Sequence, residues 1–353
     1  MTARGGTGTF VRGGTPYTID VWETDDGLPH NSVITLTQTR DGYLWLGTLN
    51  GLVRFDGLKF TVFDHGNTPA LGHGGIVHLF EDSRRRLWVG TESDGVVLIE
   101  DGRLTQTGIG RGSRASRLSA AAENPAGTIW LYTADGWLWR WQDGMTNAFA
   151  AGIERPSLTR ALARDAEGRL WVGADFLLVA LTNGARLQPP LLPAERTVAM
   201  TKLDGLLAAP DGGQWRLADN RIQYWQGGRL QRDWPGYPWG QTPVSALALD
   251  AEGNLIVGTL GAGLHWFDRE GRATSLSTNT GLSHNFVLAI HTDREGTLWI
   301  GTDSGGLNRV KRQVFDTLRE SRGLVLQSVA EDLRAGCGWG PTAAASLCGR
   351  RTP

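Results

Sequence analysis

Cysteine is almost absent from this sequence, which has 2 cysteines among 353 residues, Cys337 and Cys348, both close to the end. A disulfide framework or a thiolate metal site therefore cannot hold together the chain that precedes them. An excess of one charge is also lacking, because 35 Lys and Arg residues nearly balance 36 Asp and Glu residues. Proteins that bind nucleic acids usually carry a clear basic surplus, so we expect no nucleic-acid partner.

Long apolar runs and common catalytic signatures are missing as well. The first 20 residues hold no apolar segment typical of a signal peptide, and no window approaches the roughly 18 apolar residues of a membrane span. As written, the chain is expected to contain no membrane segment and to stay in the cytoplasm if expressed in this form. HExxH, P-loop, GxSxG and CxxC patterns do not occur, so we predict no catalytic site, no metal and no cofactor.

What the sequence does contain is glycine, with 49 residues, and tryptophan, with 15 residues against 10 Phe and 5 Tyr. Many of the tryptophans fall in related pentads that recur every 41 to 44 residues. This period is typical of one four-stranded blade of a β-propeller. The pentads are LWLGT from Leu44, LWVGT from Leu87, IWLYT from Ile129, LWVGA from Leu170, QWRLA from Gln214, LIVGT from Leu255 and LWIGT from Leu298.

Each unit shows the same order of signals. An alternating apolar run such as Val33 to Thr37 leads to a turn such as Asp250–Gly253 or Asp293–Gly296, then to the pentad, a second glycine turn and another apolar run. Asp bonds readily to its own backbone in turns, and Gly accepts a positive φ, so these segments predict hairpins. A fourth, more exposed strand such as Lys59 to Phe63 completes the unit.

We therefore predict an all-β protein, a β-propeller of about seven four-stranded blades with a repeat of roughly 42 residues. Residues 1–16 are expected to be disordered, 17–320 to form the propeller, and 321–353 to begin an eighth repeat that breaks off. Tyr17 to Trp22 is a candidate outer strand that completes the last blade and covers its edge. The indoles predicted to be buried between blades are those of Trp45, Trp88, Trp130, Trp171 and Trp299.

The segment Gly27-Leu-Pro-His-Asn-Ser-Val33, the LWxGT pentads and the following Gly-Leu-x-Arg-Phe resemble the two-component regulator propeller repeats over about residues 17 to 332. The resemblance implies the periplasmic ligand-sensing region of a hybrid histidine kinase or a diguanylate cyclase. It also implies a small-molecule or oligosaccharide ligand. The kinase or cyclase output domain that the family usually carries is not visible in this sequence.

Candidate ligand-binding residues lie in two kinds of loop that the alternation of strand direction places on one face of a propeller. His-Asn pairs recur before the innermost strand, and Asn or Asp recurs in the turn after the pentad, with Asp135 also at this place. Polar groups that converge on a concave surface can orient a small ligand. The alternative is that Asn caps the turn and His is a solvated loop residue. The candidate site residues are His30, Asn31, Asn50, Asp94, His284, Asn285 and Asp303.

Other aromatic and imidazole groups were weighed against ordinary structural roles. His73 and His78 are five residues apart, which on one strand would place them on opposite faces and make them unsuitable as joint metal ligands. Trp137, Trp139 and Trp141 form a period-2 stripe that favours blade packing over a carbohydrate-stacking surface. A streptogramin-lyase-like propeller enzyme and a protein-interaction scaffold remain alternative functions.

The end of the sequence generates a test at the level of the gene. An eighth unit begins at Gly323-Leu324 and stops being recognisable after Asp332. Read from the third base of each codon, residues 336–346 can encode LWVGTYGGGL, the missing pentad. We therefore predict a frameshift near Leu333 and a poorly ordered tail over residues 333–353. Resequencing of the locus should reveal a frame conflict, and an uninterrupted frame would disprove the idea.

Overall fold

The protein is described from a computed structural model, which covers residues 8–110, 117–150, 160–165, 168–174, 177–181, 197–199, 202–313, 326–331, 337–341 and 347–349. The chain divides into two compact units, Met1–Arg312 and Gln313–Pro353. This boundary lies a few residues before the one predicted at residue 320. No α-helix occurs among the described residues; the only helical segments there are three short 3₁₀ turns, Thr24–Asp26, Pro69–Leu71 and Thr278–Thr280.

The strands of the first unit follow one another along the chain as short antiparallel meanders. Two strands precede the repeats: β1 (Gly8–Arg12) and β2 (Thr15–Trp22). Blade 1 contains β3 (Val33–Gln38), β4 (Leu44–Thr48), β5 (Gly51–Phe55) and β6 (Phe60–Phe63). Blade 2 contains β7 (Ile76–Glu81), β8 (Leu87–Thr91), β9 (Val96–Glu100) and β10 (Arg103–Gln106). Blade 3 contains β11 (Leu118–Glu123), β12 (Ile129–Thr133), β13 (Trp137–Gln142) and β14 (Met145–Ala150). Blades 4 to 6 contain β15 (Arg160–Arg164), β16 (Leu170–Ala174), β17 (Leu177–Leu181), β18 (Thr197–Ala199); β19 (Leu203–Ala208), β20 (Gln214–Ala218), β21 (Arg221–Gln226), β22 (Arg229–Pro235); β23 (Val244–Leu249), β24 (Leu255–Thr259), β25 (Leu264–Phe267), β26 (Ala273–Leu276). The remaining repeat contains β27 (Val287–Thr292), β28 (Leu298–Thr302) and β29 (Leu307–Arg312).

The all-β propeller architecture is confirmed, but the number of four-stranded blades is six, not the predicted seven. The remaining sheet, named here the closing sheet, has five strands in the order β1-β2-β29-β28-β27. The first strand of each of the six blades and β27 of the closing sheet surround a central cavity of about 430 Å³. The last repeat therefore meets the first around this cavity, and the sheets form a ring.

The N-terminal strands explain why the closing sheet differs from the blades. β2 pairs with β29, Tyr17 opposite Arg312 and Trp22 opposite Leu307, which confirms the predicted outer strand. β1 then adds a fifth strand, although residues 1–16 were predicted to be disordered. Its Arg12 guanidinium lies 4.3 Å from the centre of the Trp266 ring and 3.6 Å from Asp250 of blade 6. These contacts give β1 a partner on the neighbouring blade, which the sequence pattern did not indicate.

The turns between first and second strands anchor the buried tryptophans. Asp82 accepts the indole N–H of Trp88 at 2.9 Å, and Asp293 accepts that of Trp299 at 2.8 Å. The same carboxylates accept backbone N–H groups of their own turns, as Asp293 does from Thr297 at 2.7 Å. In blade 2 and in the closing sheet the turn is thus tied to its pentad by a charge-assisted hydrogen bond, which is stronger than a neutral one.

Burial of the five predicted indoles is not uniform. Trp88, Trp130 and Trp299 are buried, whereas Trp45 and Trp171 are only partly buried. Trp45 lies against Phe63 with ring centres 5.7 Å apart. The predicted burial is therefore confirmed for three of the five indoles and is partial for Trp45 and Trp171.

The second unit contains a three-stranded antiparallel sheet of β30 (Leu326–Glu331), β31 (Cys337–Pro341) and β32 (Leu347–Gly349). Gly323 and Leu324, where the eighth repeat was predicted to begin, lie outside the described residues. The predicted frameshift and disorder of residues 333–353 stay predictions. Within the part of the chain that the structure describes, no helix has the length and apolar character needed to span a membrane.

Loss of a turn carboxylate is expected to destabilise the ring. Asp250 accepts hydrogen bonds from the Trp266 indole at 2.7 Å and from the backbone N–H of Asn254 at 2.8 Å. Asp250→Ala should lower the free energy of unfolding in urea by about 2–3 kcal/mol, because buried donors lose their acceptor. The control is Glu252→Ala in the same turn, whose exposed side chain should matter by less than about 0.5 kcal/mol. Equal effects of the two changes would contradict this role of Asp250.

Two enclosed histidines predict loss of stability in mild acid. Burial lowers the pKa of His78 to about 4, and burial together with the nearby Arg294 charge lowers the pKa of His291 to about 4. The unfolded chain, with an ordinary histidine pKa near 6.5, binds more protons between these values, so stability is complete above about pH 6.5 and falls as the pH drops towards 4.

The measurement is urea unfolding at pH 7.5 and pH 5 for the wild type and for the double variant His78→Gln/His291→Gln. The wild type should lose more stability than the variant, by at most about 2 kcal/mol per ring, since pH 5 lies about 1.5 units below the ordinary histidine pKa and one unit corresponds to about 1.4 kcal/mol. Asn147→Gln, at an exposed and uncharged side chain, is the control and should leave the pH dependence unchanged. An unchanged pH dependence in the double variant would refute the assignment.

Candidate functional site

Three loops that precede a first strand share one local structure, and we name them the leading loops. Each begins with one of the three 3₁₀ turns, and each carries a histidine three residues before its first strand begins. These histidines are His30 in blade 1, His73 in blade 2 and His284 in the closing sheet. Because β7 and β27 both contact β3, the three loops belong to consecutive sheets of the ring.

The four predicted His and Asn residues of blade 1 and the closing sheet hold their loops in shape. Asn31 Oδ1 accepts the backbone N–H of Thr24 at 2.8 Å, and Asn285 Oδ1 accepts that of Thr278 at 2.9 Å. His30 Nδ1 accepts the N–H of Ser32 at 2.9 Å, and His284 Nδ1 accepts the N–H of Phe286 at 3.2 Å. The capping interpretation is therefore supported for both asparagines. When neutral, each of these two imidazoles carries its proton on Nε2.

The turns after the second strands meet the leading loops on the same face. Asn50 Nδ2 donates to the carbonyl of Pro29 at 3.2 Å. Asp303, in the closing sheet, accepts a hydrogen bond from Ser32 Oγ of blade 1 at 2.6 Å. A Cβ atom at Gly72 would lie 2.2 Å from Asp94 Cγ, so this turn and the leading loop of blade 2 touch, and Gly72 with φ 72° fits where a larger residue would clash.

These contacts place the seven predicted residues along one face of three consecutive sheets. They do not gather them into one cavity. A cavity of about 280 Å³ opens on this face between the second turn of blade 1 and the leading loop of blade 2. Of the seven predicted residues only Asn50 lines it. The other polar side chains that line it are Asp64, His65 and His73.

His65 and His73 are the functional candidates that sequence reasoning missed. Their rings lie 3.6 Å apart, centre to centre, at 32° to each other, and both side chains are exposed. His73 was expected to lie on the same strand as His78. It lies instead in the leading loop, while His78 lies within β7 and lines the central cavity. The sequence did contain a signal for His73, because this residue occupies the same position in its repeat as His30 and His284 occupy in theirs.

The chemistry of this cavity is that of a polar recognition site. An amide, a carboxylate and two imidazoles surround backbone exposed by Gly66, Gly72 and Gly74. These groups can donate to and accept from hydroxyl groups, and an exposed imidazole ring can stack on a flat ligand face. Within the described residues, no group of three or more His, Cys, Asp or Glu side chains is placed to hold a metal ion.

The tryptophan stripe of blade 3 lies on β13. Trp141 is buried and meets Trp88 edge to face at 5.1 Å, with the Arg86 guanidinium 4.4 Å from the Trp141 ring centre. Trp137, at the other end of the stripe, is 41% exposed. Packing therefore accounts for Trp141.

The sequence pattern of the two component regulator propeller family matches this chain in three segments, residues 27–50, 70–93 and 281–304. Each match runs from a leading loop through the first and second strands into the following turn. The three matched units are those whose leading loops carry the histidines. No curated protein is similar enough in sequence to this chain to count as a relative.

Several solved structures share the fold. The extracellular domain assigned to a hybrid two component system of B. thetaiotaomicron is 16% identical, with a TM-score of 0.67, over 95% of this chain and 48% of that one. A second extracellular domain from B. thetaiotaomicron, assigned to a one component system, is 17% identical, with a TM-score of 0.64, over 95% of this chain and 45% of that one. The chain thus spans about half the length of these domains. Virginiamycin B lyase from Staphylococcus aureus is 13% identical, with a TM-score of 0.65, over 84% of this chain and all of that one, 100%.

Proposed function

We propose that this chain, which contains two component regulator propeller repeats, is the ligand-binding input domain of a bacterial signalling receptor. The receptor would belong to a two-component or cyclic-di-GMP system, and its kinase or cyclase output domain would lie outside this sequence. Since the extracellular domains described above have the same fold, we place the input domain in the periplasm.

The observation that carries this proposal is the coincidence of the family pattern with one face of the ring. The matched segments supply both the leading loops and the turns that meet them at Pro29–Asn50 and at Ser32–Asp303, and Asp94, which meets Gly72, directly follows the second segment. The repeats therefore bring polar loops together at three neighbouring places. Loops presented by a rigid scaffold are where binding residues are most often found.

The ligand is proposed to be a small polar molecule of sugar size. The cavity of about 280 Å³ is near the lower end of the range for small-molecule sites. Its polar groups, Asn50, Asp64, His65 and His73, offer both donors and acceptors, as recognition of several hydroxyl groups requires. The ligand would lie between blades 1 and 2, with Asp94 behind Gly72 at the margin.

The resemblance in fold to virginiamycin B lyase supports one competing function, a propeller enzyme. At 13% identity this likeness concerns the fold, so the lyase function needs its own test. Turnover of a streptogramin B antibiotic by the purified chain, abolished by a chelator, would establish the enzyme and overturn the sensor. A protein-interaction scaffold would instead bind a protein partner without stabilisation by small molecules.

We predict that an oligosaccharide will raise the melting temperature saturably and that His73→Ala will weaken its binding at least about tenfold. The screen is a thermal-shift assay of the purified chain against defined oligosaccharides, with and without chelator, followed by calorimetric titration of each hit. Since His73 is exposed, its replacement should change the stability of the free protein by less than about 0.5 kcal/mol.

The matched control is Asn147→Ala, an exposed polar side chain on β14 of blade 3 that does not line the cavity. It should leave affinity unchanged. His30→Ala provides a contrast: loss of the acceptor for the Ser32 N–H should lower stability by about 1 kcal/mol. A hit whose affinity is insensitive to His73 and Asn50 would place the ligand elsewhere, and no hit across the panel would count against a glycan sensor.

A further inference from the structure

The fifth repeat departs from the pattern at two core positions of its second strand. In six of the seven pentads the first and third residues are aliphatic, as in Leu170 and Val172, whereas β20 has Gln214 and Arg216 at these places. Both side chains are nevertheless buried, with 2% and 7% of their surfaces exposed. Being two residues apart on a strand, they share one face of blade 5.

The Arg216 guanidinium lies between two indoles. Its central carbon is 4.8 Å from the ring centre of Trp171 in blade 4 and 4.8 Å from that of Trp225 in blade 5. A guanidinium placed over ring faces keeps its N–H groups available for hydrogen bonds. The shared face of Gln214 and Arg216 therefore faces blade 4.

The charge of Arg216 lacks a hydrogen-bonded carboxylate among the described residues. Its Nη2 donates to Gln214 Oε1 at 3.2 Å, but its Nε and the Gln214 Nε2 are buried without any acceptor. Asp165 is near enough to act on Arg216 electrostatically, yet its oxygens accept from Arg169 Nε at 2.6 Å and Trp171 Nε1 at 2.8 Å. Burial lowers the pKa of Arg216 only to about 10, so the group is charged at neutral pH.

A cavity of about 190 Å³ lies between blades 4 and 5. Gln214 and Arg216 both line it, as do Trp171 and Trp225. Gly227 and Gly228 form part of its wall, where no side chain limits access. A buried cation with unmet donors is costly unless an anion accepts from it.

We propose that this cavity binds a small oxyanion, or the acid group of a small ligand, through Arg216 and Gln214. The anion would accept from the Arg216 guanidinium and the Gln214 amide, whose donors the protein leaves partly unmet, and the indoles of Trp171 and Trp225 would shield the ion pair from water. This site is separate from the face of blades 1 and 2 and the closing sheet, so it does not depend on the function proposed above.

The test uses the whole purified chain in a thermal-shift and calorimetric assay. The probes are phosphate, sulfate, acetate and glucuronate, each compared with sodium chloride at equal ionic strength and with neutral glucose. We expect saturable stabilisation by at least one oxyanion and none by glucose. The carboxylate and tetrahedral probes distinguish an acid group from phosphate or sulfate.

The decisive variant is Arg216→Leu, which restores the aliphatic pattern of the other pentads. It should fold, with a melting temperature in the absence of anion equal to or above that of the wild type, because an apolar residue replaces an unpaired buried charge. Affinity for the anion should fall by about tenfold to a hundredfold, the effect expected for a lost charge-assisted hydrogen bond. Arg216→Lys, which keeps the charge without the planar fork, should retain part of the affinity.

Arg232→Leu is the matched control, since it removes one positive charge from an exposed position of the same blade. It should bind the anion as the wild type does. Equal anion stabilisation of the wild type and Arg216→Leu would overturn the site and indicate a general salt effect. Loss of folding in Arg216→Leu with no anion binding to the wild type would show instead that Arg216 is a structural filler between Trp171 and Trp225.

Discussion

The hydrogen bond from the pentad indole to the carboxylate of the first turn is the interaction on which blade 2, blade 4 and the closing sheet depend. An indole is the largest apolar group available to fill the space between twisted sheets, but its N–H needs an acceptor once water is excluded. The turn carboxylate of Asp82, Asp165 or Asp293 supplies that acceptor while also ordering its own turn. Blade packing and hairpin geometry are therefore specified by the same pair of residues.

In two repeats that depart from the pentad motif, the turn carboxylate still accepts a hydrogen bond from a ring, but the ring lies on the next strand. In blade 6 the pentad has Ile256, and the indole that reaches Asp250 comes from Trp266, which lies opposite Ile256 on the next strand. In blade 5 the partner of Asp211 is the hydroxyl of Tyr224, opposite Trp215. A ring on either adjacent strand fills the same space, so a repeat can lose its motif and keep its core.

Rigid blades also determine where polar residues can be placed for binding. On the face that carries the leading loops, asparagine side chains accept hydrogen bonds from the backbone of the 3₁₀ turns. Only side chains that are not used in this way can contact a ligand. This explains why Asn31 and Asn285 recur without lining the cavity, while the less regular loop of blade 2, with its glycines, leaves room beside His65 and His73. In blade 5, by contrast, the polar groups are those of Gln214 and Arg216, which occupy core positions that are aliphatic in the other repeats.

The sequence by itself determined the architecture, because the period of roughly 42 residues, the turn signals and the tryptophan spacing are local properties repeated many times. It also determined the face to which His30, Asn50, Asp94 and Asp303 belong, since strand direction alternates along every blade. Only the tertiary structure decided which side chains share a cavity, because Asn50 of blade 1 and His73 of the blade 2 leading loop come together across a blade boundary that no sequence spacing measures. The tertiary structure also decided that Arg12 holds β1 against blade 6 and that Arg216 lies between Trp171 and Trp225. In each case a contact joins different sheets, so it depends on how the sheets pack.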